Sequence, residues 1–295
     1  MLQRHRLSVT EYSEVSPIIE IIKKRKSVRT YTGEDLKEET LIKIGEIIKT
    51  FKRGHFGNEI RFALLDFKGM KKSDIKPPGT YGVIRGAKLF IAGTVNDAPG
   101  AMEDFGYCME RVILALTEMG LGTCWMAGTF QKSAFARELN LAGNELFPAI
   151  TPVGYSKDKM SFVDRSLRVL AGSDNRKKWE ELFYLNDINT PLQKGDVGDY
   201  FDIIEAVRLG PSASNRQPWR IIKENDQNVF HFYLNRTKGY PGKIGKVKVQ
   251  NIDMGIALCH FELAAADKGK KGRWLNNKPV LEDGEMKYIL SWSEE

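Results

Sequence analysis

The sequence predicts an α+β protein made of two tandem copies of one unit, residues 16–170 and 171–295. Two observations carry this. Residues 104–125 and 253–274 align without gaps at an offset of 149, matching Asp104/Asp253, Gly106/Gly255, Leu114/Leu263, Ala115/Ala264, Gly120/Gly269 and Trp125/Trp274. Two amphipathic helices can match this way by chance. However, a helix, a turn and a strand at 38–65 recur in the same order at 195–222, and the two matches together favour duplication. A chain of 295 residues also suits about two domain-sized units.

Taken in order, residues 1–15 carry no core pattern and read as an arm. Ser16 and Pro17 open a helix, the first as a cap and the second in the first turn. Ile18, Ile21 and Ile22 form its apolar stripe, and it runs into Arg25-Lys26-Ser27-Val28-Arg29. Guanidinium and hydroxyl groups suit phosphate oxygens. Basic residues also simply match the negative end of a helix, and the spacing does not separate the two readings. Leu41, Ile44, Ile48 and Phe51 mark a second helix over 38–51, and Ile60–Leu65 a strand. Residues 66–81 read as a loop and 88–92 as a short strand. Helical spacing is clearest over 104–119, through Phe105, Cys108, Met109, Val112, Ile113 and Leu116. The run that follows, Leu121-Gly122-Thr123-Cys124-Trp125-Met126-Ala127-Gly128, lacks the third glycine of a dinucleotide fingerprint. In the second copy the stripe is broken by Glu262, where the first has Ile113. A helix containing Phe201, Ile204, Val207 and Leu209 stops at Gly210-Pro211, and a strand begins at Arg220. Between them lies the polar turn Pro211-Ser212-Ala213-Ser214-Asn215-Arg216-Gln217-Pro218-Trp219. Its side chains offer donors and acceptors, although any helix-to-strand turn is polar.

Several function classes are set aside. No apolar run of ~18 residues is present, so no membrane span is expected. The first sixteen residues lack the apolar core of a signal peptide, and a cytoplasmic chain is expected. Cys108, Cys124 and Cys259 lack metal-ligand spacing and read as core thiols. His5, His55, His231 and His260 are scattered, so no metal site is expected. The net charge of +7 comes without a nucleic-acid module, and no nucleic-acid partner is expected. Neither a G-x-S-x-G elbow nor a Walker A loop occurs.

The motifs add a resemblance. PSASNRQPW resembles the PSxxNxQPW turn of the nitroreductase family of flavoenzymes, RKSVR with Tyr31 is similar to its RRSVR-x-F segment, and GLGTCWMAG resembles its GLGTCW-x-x-G segment. A VGY at 153–155 resembles the end of a family domain, where an Arg near the phosphate follows. The resemblance covers most of residues 16–274 and implies an FMN-dependent nitroreductase-like fold, with a small antiparallel sheet flanked by helices in each copy. It implies that Arg25, Lys26 and Ser27 face the FMN phosphate and ribityl chain, and that Arg29 lies toward the pyrimidine edge. Trp125, Met126, Ala127 and Gly128 would pass beneath the ring, and Arg165, with Arg168 as second candidate, would reach the phosphate. Pro211, Ser212, Ala213, Asn215 and Gln217 would come from the other copy. Family members are usually homodimers whose sites are built from both subunits. Each copy here keeps only part of those motifs, so the resemblance implies a monomer acting as a pseudo-dimer, with one FMN. The implied activity is ping-pong oxidoreduction: NADH or NADPH supplies hydride to FMN, and a small acceptor such as a nitroaromatic or quinone removes it. The alternative is a flavin-binding carrier or sensor without turnover.

Overall fold

The computed structural model describes residues 17–68, 84–128, 132–157, 175–280 and 284–295. Six α-helices are defined among them: α1 (Ile18–Lys24), α2 (Glu38–Thr50), α3 (Ala101–Glu118), α4 (Lys132–Leu139), α5 (Phe201–Arg208) and α6 (Val249–Asp267). The strands β1 (Ile60–Asp66), β2 (Leu89–Asn96) and β3 (Glu145–Val153) form an antiparallel sheet in that order. A second sheet runs β4 (Phe183–Leu185), β5 (Trp219–Lys223), β6 (Val229–Leu234), β10 (Lys287–Glu294), β9 (Gly272–Leu275). Its β4–β5 pair is parallel and the others are antiparallel. A small hairpin joins β7 (Lys243–Ile244) to β8 (Val247–Lys248).

The two sheets share an order. In the first, residues 122 and 126 bridge to Gly154 and Ile150 alongside β3, which pairs β2, which pairs β1. In the second, β9 lies alongside β10, which pairs β6, which pairs β5. The expected strand at 88–92 extends to Asn96, because residues 89–95 are all buried and Asn96 is the first exposed position. The last twenty residues, which lie outside the resemblance, supply β10, a central strand with Ile289, Leu290, Ser291 and Trp292 buried. Ser16 and most of the expected loop at 66–81 lie outside the described residues.

Helices α3 and α6 form the centre. They cross at Gly106 and Gly255, and the approach is closer than any side chain allows. A Cβ on Gly106 would stand 2.0 Å from the Ile252 carbonyl oxygen, and one on Gly255 would stand 1.9 Å from that of Glu103. Backbone at this distance requires glycine. One core runs through both sheets and both central helices. A second fills the space between β2, β3 and α4, where Phe67, Phe90 and Phe135 meet edge to face with centroids 5.3–5.7 Å apart. Cys108, Cys124 and Cys259 are all buried. Among the described residues, no helix is long and apolar enough to cross a membrane, and no cluster of His, Cys, Asp or Glu could hold a metal ion.

Candidate functional site

Helix α1 packs on α6 and α3, so the segment that follows it is carried against the central helices. The helix ends at Arg25, whose amide still bonds to Ile21 O (2.9 Å). The chain then runs beside the glycine-rich segment: Ser27 bridges Thr123 in parallel, and Val28 N–H donates to Thr123 O (2.8 Å). Within that segment Cys124 N–H bonds to Thr151 Oγ1, and Met126 exchanges backbone bonds with Ile150. Strand alternation therefore sends the amides of Trp125 and Ala127 to the other edge. The Trp125 indole donates to Glu110 Oε2 (2.6 Å), and the other oxygen of Glu110 lies 2.9 Å from His260 Nε2 on α6. Arg25 Nε stands 4.0 Å from the same carboxylate, so one fully buried acid anchors parts of both halves.

Facing this is the turn after α5, held by its own side chains. Gln217 N–H donates to Ser212 Oγ (2.9 Å), and the Gln217 amide bonds Asn215 O and Lys177 N–H. Ser214, Asn215 and Gln217 all have left-handed φ, near +50°. Such angles cost non-glycine residues of order 1–3 kcal/mol and gather at ligand sites. Asp253 on α6 accepts Ala213 N–H at Oδ1 (2.9 Å) and so ties the turn to the central helix.

Between the two motifs lies a cavity of about 690 Å³. This is within the ~300–1,000 Å³ typical of cofactor pockets. Of the residues named from sequence, Arg25, Lys26, Ser27, Arg29, Trp125, Ala127, Gly128, Pro211, Ser212, Ala213 and Asn215 border it. Met126 and Gln217 do not. The side chain of Met126 points into the second core, on the opposite face from its neighbours, and Gln217 is buried as the internal brace of the turn. Arg165 and Arg168 lie outside the described residues. The basic run 23–29 gives the wall five cations, and Arg176 and Lys243 give two more. Asp253 is the one carboxyl among the described lining residues. Arg25 Nε and Arg29 Nη1 are buried without a hydrogen-bond partner among the described residues. Buried donors in that condition are costly unless a ligand meets them, so the wall suits an anion.

A family model described as "Putative TM nitroreductase" matches residues 17–265. The chain belongs to that nitroreductase family. A putative nitroreductase from Thermotoga maritima is similar in fold, with a TM-score of 0.57 and 18% identity over 97% of this chain and 96% of that one. A nitroreductase-family protein from Clostridium difficile 630 has 21% identity and a TM-score of 0.40, over 51% of this chain and 91% of its own. A nitroreductase with bound FMN from Bacteroides fragilis has 17% identity and a TM-score of 0.39, over 50% and 92%. No curated protein matches the sequence significantly.

This nitroreductase-family chain has site residues that the sequence did not reveal. Arg176 reaches the wall held by Asn215 Oδ1 (2.5 Å) and Leu209 O (2.9 Å). Its signal was only a basic cluster, Arg176-Lys177-Lys178, in a stretch without apolar period. The wall also contains Tyr240, Pro241, Gly242 and Ile244 from the β7 hairpin. A Cβ on Gly128 would lie 2.8 Å from Ile244 Cδ1, so the hairpin meets the first half across the mouth. Burial pushes the carboxyl of Asp253 up to about 8, opposed only in part by the bond from Ala213.

Proposed function

We propose that the chain is an FMN-dependent NAD(P)H oxidoreductase, a pseudo-dimer of two nitroreductase-like halves, 16–170 and 171–295, with one flavin site between them. One observation carries the reading. The RKSVR and GLGTCWMAG segments of one half and the PSASN turn of the other border a single cavity, and among its lining arginines Arg25 Nε and Arg29 Nη1 make no hydrogen bond among the described residues. Arg25, Lys26, Ser27 and Arg176 would hold the phosphate, where each charge-assisted bond contributes about 1.5–3 kcal/mol. The amides of Trp125 and Ala127 would meet the ring edge. Arg29 would set a fixed cation beside the edge that gains negative charge on reduction, a preorganised stabilisation that costs no reorganisation during turnover. FMN, when bound, supplies the hydride chemistry, and the protein orients it and excludes water. No side-chain nucleophile is required. The basic wall also suits the phosphates of NADH or NADPH, and a small acceptor would use the same open face.

The paired features of the halves support the duplication. Gly106 and Gly255 make reciprocal contacts, and Asp104 and Asp253 each hold the turn of their own half, through Phe56 N–H and Ala213 N–H respectively. The test is flavin content followed by anaerobic titration. The purified chain is expected to be yellow with one FMN per chain, to bleach with NADH or NADPH, and to recover colour with a quinone. Bound flavin that NAD(P)H never bleaches would mark a carrier instead. Arg25→Ala and Asn215→Ala are each expected to weaken FMN binding, although they lie in different halves. Loss in only one of them would end the composite-site reading.

A further inference from the structure

We infer that Asp253, acting as a neutral carboxylic acid, hydrogen-bonds an acceptor atom of the cofactor bound in this cavity, and so positions it from the second half. The inference rests on the FMN reading above and names a residue which that reading leaves without a role.

The geometry comes from comparing Asp253 with its counterpart. Asp104 occupies the same place in the first half, and both of its oxygens are engaged. Its Oδ1 accepts Phe56 N–H, and its Oδ2 accepts the backbone and side-chain N–H groups of Asn58, each at 2.9 Å. In the second half Ala213 takes the place of Phe56, and Asn215 that of Asn58. Asn215, however, is spent elsewhere: its amide bonds Ser212 O, and its side chain bonds Arg176 and Asn175 O. Asp253 Oδ2 is therefore buried with no partner among the described residues, at 3% exposure of the whole residue. Asp253 is also one of the residues that border the cavity.

An unpaired buried carboxylate is far costlier than a neutral acid, and a neutral acid in an apolar site can donate a hydrogen bond at pH 7. The surroundings leave that form in place. On the facing helix α3, Glu103 is bonded to Asn251 and Glu110 to Trp125 and His260, and Asp104 has the partners given above. Arg25 and Arg29 come from the exit of α1, with Lys23, Lys24 and Lys26 more exposed beside them. Arg176 is held by the turn, and Tyr240 and Lys243 stand on the hairpin side. Burial is the dominant influence on the Asp253 carboxyl, with the Ala213 N–H opposing it.

The experiment measures the dissociation constant of FMN, by quenching of its fluorescence, between pH 7 and 9. This window lies above the second ionisation of a phosphate, near 6, and below ordinary lysine titration. Binding that needs the neutral acid is expected to weaken by up to about tenfold across it, since only the protonated fraction is competent. Asp253→Asn keeps a donor and the acceptor for Ala213 but cannot titrate. It is expected to bind FMN with nearly constant affinity. Asp253→Ala, if it folds, is expected to bind weakly at every pH. A wild-type affinity that is flat or rises with pH, or an Asn variant that keeps the wild-type slope, overturns the inference and leaves the FMN reading standing. A wild-type chain that takes no FMN at any pH overturns both.

Discussion

Asn215 lies in the turn that the motif resemblance assigns to the cofactor, but its side chain works inside the protein. It accepts from Arg176 Nη1 and donates to Asn175 O, and it thereby fixes a guanidinium on the cavity wall. On the proposed reading, Arg176→Ala is expected to weaken FMN binding by about tenfold to a hundredfold, the value of one charge-assisted bond. Asn215→Ala is expected to weaken it through the same guanidinium. The double variant should then bind about as weakly as the worse single variant, because the two act as one unit. Additive losses in a fluorescence titration would show that Asn215 meets the ligand on its own. Much of the site was legible in the sequence. RKSVR, GLGTCWMAG and PSASNRQPW are contiguous, the family resemblance singled them out where residue type alone did not, and each contributes residues to the cavity wall. What stayed hidden depends on which side chain points where. Strand alternation turns Met126 into the core, and Gln217 braces its own turn. Arg176 comes from a basic run that carries no motif, and the missing partner of Asp253 depends on how Asn215 folds back.

Among the elements, the first sheet is fastened at its edge by an ion pair that spans all three strands. Arg61 on β1 grips Glu145 at the start of β3 through Nε and Nη2 (2.9 and 2.6 Å), and Thr94 on β2 donates to the same carboxylate (2.7 Å). The Arg61 guanidinium holds the Glu145 carboxyl down at about 2. Since the folded value lies below the unfolded one, near 4.3, the stabilisation is complete above about pH 4.5 and fades as pH falls toward 2. Glu145→Gln is therefore expected to unfold at lower temperature than the parent at pH 7. The gap should close on acidification through that window, as followed by thermal unfolding. An equal gap at pH 7 and pH 2.5 would mean that packing rather than charge holds this corner. The sequence showed where these strands are but not how they pair. Helix spacing and alternation are local signals, whereas β10 pairs with β6 across an intervening helix, hairpin and strand.

Within the molecule as a whole, α3 and α6 cross at two glycines whose contacts are reciprocal. Gly106 abuts Ile252 O and Gly255 abuts Glu103 O, and the counterparts Gly106/Gly255 and Glu103/Ile252 are each 149 residues apart. On the proposed duplication, residue i meeting j while the counterpart of i meets that of j is what a two-fold interface would give within one chain. Gly106→Ala and Gly255→Ala are each expected to cost about 1–3 kcal/mol or more, as overpacking does. The two losses in denaturant unfolding should be similar, because each adds one methyl against one carbonyl of the partner helix. On the same reading, the place that would correspond to the cavity is occupied by side chains. Trp274 stands where the first half has Trp125, but Cys259 replaces Glu110, and the Trp274 indole N–H is buried without a partner among the described residues. The His55 ring lies 4.5 Å from that of Tyr107 and 5.2 Å from that of Trp274, and His55 and Tyr107 both bond Glu262, the residue that breaks the apolar stripe. A site closed by its own side chains has no room for a ring. The expected stoichiometry is one FMN per 33.5 kDa chain, measured by flavin absorbance alongside solution mass. Trp274→Ala should leave the flavin bound while lowering stability, whereas Arg25→Ala should lose the flavin. Two flavins per chain, or flavin lost on changing Trp274, would show that the filled pocket still opens and that the halves have not divided the work.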